Sequence, residues 1–226
     1  MDNRKEKILN LVIENYIANA EPVGSKFLVA NTDLEFSEAT IRNELRALEK
    51  EGYLTHPHTS AGRIPTEKGY KYYIKNLNLA KSRISKNDSK TLSNSLEKTG
   101  NYELVLKNMA KAMVELSNET VILAFSPEKI YYTGLANLFN KPEFDQLSLV
   151  AGISEAFDHC EENVEGFFDK VSDEPQYFIG DEHPFGEMLS VLSVKFGDEG
   201  LIALVGPKRM DYKYNFGLIK KLLEII

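Results

Sequence analysis

The chain has 226 residues, 42% of them apolar, and carries 27 Lys+Arg against 34 Asp+Glu for a net charge of −7. That length and apolar share can bury a real core, and two small domains are expected. The single cysteine, Cys160, excludes a disulfide framework and a cysteine-based metal cluster, no apolar run approaches the roughly 20 residues that cross a bilayer, and the start MDNRKEK lacks an apolar signal core, so a cytoplasmic protein without membrane association is expected.

The overall acidity hides an asymmetry. Residues 1–80 carry 11 Lys+Arg and 11 Asp+Glu, residues 81–98 carry 5 and 2, and residues 99–226 carry 11 and 21. The negative charge therefore belongs to the C-terminal part and does not argue against a nucleic-acid partner for the rest.

In chain order, Leu9, Val12, Ile13, Tyr16, Ile17 and Ala20 follow the 3.6-residue period and predict an amphipathic helix over 3–20, ended by "EPVG". Ser25 is expected to cap a short second helix through Ala30. A third helix starts at the cap Ser37, with Phe36 and Ile41 placed as a hydrophobic staple and Glu38 favourable against the positive helix end. A turn of 100° per residue puts Ile41, Leu45 and Leu48 on one stripe and Ala39, Asn43, Arg46 and Lys50 on the other, flanked by Thr40 and Arg42. Asn can bond an adenine edge and Arg a guanine edge, so the second stripe has the chemistry to read a DNA major groove. The same stripe also fits an ordinary solvated helix face.

After Gly52, the apolar pieces Tyr53-Leu54 and Ile64 flank a stretch with Pro57, Ser60, Ala61 and Gly62, which reads as a two-stranded hairpin. Three helices followed by a hairpin make a winged helix. The hairpin tip carries His56, His58, Thr59, Ser60 and Arg63, all able to reach phosphate or a minor groove. Pro57 between the two histidines breaks regular pairing and no further ligand stands nearby, so no metal site is expected. Thr66 caps a fourth helix whose Tyr70, Tyr73, Ile74 and Leu77 close the core of a domain spanning 1–80.

The Ser-, Lys- and Asn-rich stretch at 81–98, poor in large apolar residues, is expected to be a solvated linker. The remainder, 99–226, reads as α+β. A helix is expected at 102–117, a hairpin from Val121–Phe125 and Ile130–Thr133, and helical stretches between 143 and 171. Strands follow near Tyr177–Ile179, Leu189–Phe196 and Leu201–Val205, with a hairpin turn at 197–200 and a last helix from about 211 to 225. The Lys-Arg pair in "GPKRMDY" reads either as an anion contact or as a plain strand-to-helix turn with Asp211 as N-cap.

The blocks "EPVGSK", "SEATIRNELRALEKEGYL" and "PHTSAGRIPTEKGYKYYI", followed in order by "GLANLFNKPEF", "YFIGDE" and "LVGPKRMDY", resemble the HrcA family of bacterial heat-inducible transcription repressors. The resemblance implies a homodimeric winged-helix repressor that binds double-stranded DNA at an inverted repeat, the CIRCE operator, upstream of chaperone operons; no cofactor is expected. It also implies the chaperonin GroEL as the partner that supports the active state. Family members carry a GAF-like domain interrupted by an inserted dimerisation domain. Here "LSNETVILAFSPEKIYYTGLANLF" passes almost directly between flanking blocks, so a reduced GAF-like α+β domain without most of that insertion is expected.

No phosphate loop and no Ser/His/Asp arrangement can be assembled, and Cys160 has only His159 beside it, so no enzyme activity is expected. Two other classes stay open. A regulator that senses a small-molecule ligand through its C-terminal domain would show a deep pocket with convergent polar groups there, and an enzyme with an appended DNA-binding module would show clustered perturbed titratable groups.

Overall fold

The computed structural model describes residues 1–32, 35–58, 61–96, 101–126, 129–197 and 199–226. It divides into two compact units, Met1–Leu77 and Asn78–Ile226.

The first unit is a winged helix. Helix α1 (Asn3–Asn19) opens on Asp2, whose side chain accepts from the Lys5 amide, and closes on Ala20 in the left-handed region, its amide donating to Tyr16. Helix α2 (Ser25–Asn31) has Gly24 at its N-cap, not Ser25. Ser25 is instead the first helical residue, and its hydroxyl is 3.3 Å from Glu38 Oε1, tying the start of α2 to the next helix. Helix α3 (Glu38–Lys50) starts where its sequence says it should. The Ser37 side chain accepts from the Thr40 amide, and Ile41, Leu45 and Leu48 are buried. Each such side chain contributes about 1.5–3 kcal/mol by leaving water, which holds the other face of α3 outward.

Gly52, at φ +79°, turns the chain out of α3 into the wing. Strands β1 (Leu54–Thr55) and β2 (Ile64–Pro65) pair antiparallel, with Leu54 opposite Pro65 and Thr55 opposite Ile64. Arg63 extends the wing by bonding its own N–H and C=O to Val23 at 2.8 and 2.9 Å. This close approach requires Gly62, where a Cβ would lie 2.6 Å from the backbone of Pro22 and Val23. Helix α4 (Glu67–Asn76) is capped by Thr66, whose hydroxyl accepts from the Gly69 amide, and it buries Tyr70 and Tyr73. Ile74 and Leu77, expected in the core, are only half-buried. The tyrosines of α4 reach α1 through Tyr72 to Glu6 (3.3 Å) and Tyr73 to Glu14 (3.2 Å).

The second unit is a five-stranded antiparallel sheet with helices on both faces. Helices α5 (Lys86–Ser95) and α6 (Tyr102–Ser117) lead into strands β3 (Thr120–Ser126) and β4 (Lys129–Thr133). Helices α7 (Leu135–Phe139), α8 (Leu147–Asp158) and α9 (Cys160–Phe168) follow, then β5 (Gln176–Ile179), β6 (Leu189–Phe196), β7 (Gly200–Pro207) and α10 (Tyr212–Leu223). The strand order is β4-β3-β7-β6-β5, so the hairpins expected at both ends of the unit are present and meet along β3 and β7. Alternation along the strands sorts two cores. Ile122, Ala124, Val191 and Val205 pack with Ile153, Phe157, Val164 and Phe167 of α8 and α9. On the other face Val121, Leu123, Leu192 and Leu204 pack with Met109 and Met113 of α6 and Leu218 and Leu222 of α10.

The stretch 81–98 is not a linker in this fold. As far as it is described, it belongs to the second unit: α5 buries Leu92 in the α6/α10 core, and Asp88 accepts from the Tyr214 hydroxyl at 3.2 Å. A Ser- and Asn-rich helix needs only one apolar residue per turn or two to dock on a neighbour, which composition alone underweights. In "GPKRMDY", Asp211 caps α10 by accepting from the Tyr214 amide, and the Arg209 guanidinium is ion-paired with Glu143 of "NKPEF". Cys160 is buried at the start of α9, and burial pushes its thiol up to about 12, which keeps it protonated and unreactive.

Candidate nucleic-acid interface

The helix-turn-helix pair α2 and α3 gives the unit its outward face. On α3, Ala39, Arg42, Asn43, Arg46 and Lys50 are exposed, Ser37 is exposed at the cap, and Thr40 is half-buried with its hydroxyl 2.9 Å from Ser37 Oγ. The opposite stripe is sealed by more than apolar contact. Glu44, 7% exposed on the inner side, meets Arg4 of α1 at 2.5 Å, and Lys5 meets Glu51 at the same distance. The buried apolar stripe sets which way α3 faces, and these partly exposed ion pairs add little to it.

The charges on that stripe differ in availability. Arg42 pairs with Glu38 one turn back, which also receives the Ser25 hydroxyl. Arg46 and Lys50 make no ion pair among the described residues, so their charge is open to an incoming phosphate or base edge. Lys26 was not singled out by the sequence. It lies exposed in the first turn of α2 and lines, with Arg42, Arg46 and Arg63, a groove of about 330 Å³ between α2, α3 and the wing. A cation in the first helical turn was the only signal for it.

The wing residues divide likewise. His58 is exposed near the tip, and Thr59 and Ser60 lie outside the described residues. His56 and Arg63 face Glu49 at the C-terminal end of α3. Arg63 Nη2 is 2.8 Å from Glu49 Oε2, and His56 Nδ1 meets the other carboxylate oxygen. Arg63 also donates to the Ala61 carbonyl at 3.3 Å, and its side chain is only 20% exposed. One carboxylate thus ties both strands of the wing to α3. Sequence reading missed Glu49 as a partner because the pairing depends on the hairpin folding back over the helix. Among the described residues, no group of three or more His, Cys, Asp and Glu side chains could hold a metal ion, and no helix is long and apolar enough to cross a membrane.

Comparison with known proteins agrees with this division. Residues 6–72 match the family profile described as the ribonuclease R winged-helix domain, and residues 73–214 match that of the HrcA protein C terminal domain. The heat-inducible transcription repressor HrcA of Acetivibrio thermocellus is 40% identical over 130 residues, 57% of this chain and 36% of that protein. Its counterpart in Alkaliphilus metalliredigens is 44% identical over 129 residues, again 57% of this chain and 37% of that protein. The matched part thus spans about a third of the length of these curated relatives. A crystal structure of a hypothetical protein superposes with a TM-score of 0.81 at 20% identity, covering 99% of this chain and 97% of that one, a likeness of fold. With more than half its length matched by the C-terminal family profile and a winged helix in front of it, the chain belongs to the HrcA family.

Proposed function

We propose that the chain is a heat-responsive transcriptional repressor that binds double-stranded DNA as a homodimer, one α3 in the major groove of each half of an inverted repeat of the CIRCE type. The observation that carries this reading is the α3 stripe of Ala39, Asn43, Arg46 and Lys50, exposed opposite a face locked by Ile41, Leu45, Leu48 and Glu44. Asn43 and Arg46 supply bidentate base contacts, Ala39 permits close approach, and Lys50, Lys26 and His58 supply phosphate contacts. A single small winged helix binds DNA non-specifically at roughly 10⁻⁴ to 10⁻⁶ M, so two half-sites read together are needed for specificity. The names of the curated relatives support heat-inducible repression; chaperone operons as targets and GroEL as modulator belong to the proposal and rest on the resemblance alone. No catalytic step is assigned to the chain.

Fluorescence anisotropy with the inverted repeat upstream of the organism's own chaperone genes, a single half-site and a scrambled duplex of equal length tests the reading. The expected order of affinity is repeat, then half-site, then scrambled, with the first advantage lost on heating. Equal affinity for all three would contradict it.

A further inference from the structure

The second unit carries a cationic pocket that the DNA-binding reading does not use. It is lined by the segment Ser82–Lys86 with Ser89, and by Gly217, Lys220, Lys221 and Glu224 of α10, and encloses about 290 Å³. Arg83 and Lys86, from the basic stretch 81–98, and Lys220 and Lys221 of α10 face a single acid, Glu224. Two of these cations are held without being neutralised. Arg83 Nη1 donates to the carbonyls of Ala80 (3.0 Å) and Ser82 (2.7 Å), and Lys220 Nζ donates to Ala80 (3.2 Å). Lys221 meets Glu224 at 3.1 Å in a half-exposed pair that solvent screens.

Two further features point into the same space. Ser85 caps the ten-residue helix α5, and its hydroxyl takes the Asp88 amide, leaving the amides of Lys86 and Asn87 without a helical acceptor at the positive end of the dipole. Independently, Ser82 is 8% exposed, and its Oγ is buried with no hydrogen-bond partner while it lines the pocket. A buried hydroxyl left unpaired is destabilising unless something else satisfies it. Gly217 lets the 82–86 segment lie close against α10: a Cβ there would lie 3.1 Å from the Arg83 main chain.

We propose that this pocket binds a small phosphate-bearing molecule, its phosphoryl group taking the Ser82 hydroxyl, the α5 amides and the ammonium groups of Lys86 and Lys221. The donors outnumber what a carboxylate's two oxygens can use and suit a tetrahedral dianion. A concave space of about 290 Å³ fits a free phosphate ester better than the convex backbone of a duplex. The proposal does not rest on the DNA-binding reading.

Calorimetric titration of the full chain with inorganic phosphate and with AMP, at ionic strength matched by chloride, tests it. Saturable binding of either is expected, weakened at least tenfold in Ser82→Ala and in the double variant Lys86→Gln/Lys221→Gln. Ser82→Ala should melt no lower than the parent without phosphate, because it removes an unsatisfied group, so its loss of binding cannot be assigned to unfolding. Heats equal to those of chloride, or variants that bind like the parent, would overturn the proposal. So would a double variant with weakened binding to unrelated duplex DNA when neither phosphate nor AMP binds, since the cations would then serve the nucleic-acid backbone.

Discussion

On α3, Asn43 and Arg46 stand exposed about one turn apart, and three residues further on Glu49 holds His56 and Arg63 of the wing. The same helix therefore presents the side chains proposed to read DNA and holds the hairpin beside it through Glu49. Asn43→Ala and Arg46→Ala should each cost about 1–3 kcal/mol on the operator and relax base discrimination, measured by binding to single-base operator variants. An equal loss on scrambled DNA would place them on phosphates. Arg63 has a different expected signature. With its guanidinium on Glu49 it is expected to brace the wing, so Arg63→Ala, which keeps the backbone bonds to Val23, should lower the stability of the winged helix by about 1 kcal/mol and leave the salt dependence of binding unchanged. A salt slope reduced by about one unit would instead assign it a phosphate contact. The exposed stripe was legible from the sequence because the Ser37 cap and the 3.6-residue period together fix where the helix starts and which way it faces. The brace was not, because Glu49, His56 and Arg63 are brought together only by the fold-back of the hairpin.

Among the elements, those with caps and long apolar runs were readable almost to the residue, as α6 and β6 show, whereas α5 and α7 were not. Helix α5 offers Leu92 as its one fully buried side chain, and α7 has five residues, too short to show a period. Close contacts between elements were also silent in the sequence. At Gly69 in α4 a Cβ would sit 2.3 Å from the Tyr53 carbonyl oxygen, so the helix reaches the end of the α3 turn only through a glycine. Gly69→Ala and Gly62→Ala should each destabilise the winged helix by more than about 1 kcal/mol, seen as a lower midpoint in chemical denaturation. Unchanged midpoints would mean that α4 and the wing shift at little cost. The fragment 1–77, which contains all of these contacts, should fold alone and bind DNA weakly as a monomer.

For the whole molecule, two units with separate cores predict two contributions to unfolding, and the second should carry its own pH dependence. Burial pushes the Glu119 carboxyl up to about 7, even though Lys141 Nζ lies 2.5 Å away, and Gly206 leaves room for that carboxylate at the sheet. A carboxyl that holds its proton more tightly folded than unfolded stabilises below its ordinary value of 4.5 and loses that contribution as pH rises through 7. Thermal melts between pH 5 and 8 should show the second unit weakening with rising pH, and Glu119→Gln should flatten the trend. A parent with no trend, or a variant that keeps it, would contradict the assignment. On the proposed inverted-repeat operator, two copies of α3 related by a two-fold axis are expected. The most direct test is methylation protection of guanine N7 in the major groove across the inverted repeat, using the full chain and Arg46→Ala. Protection in both half-sites by the parent is expected, with its loss at symmetric guanines in the variant. Protection in one half-site only, or a pattern unchanged by Arg46→Ala, would contradict it.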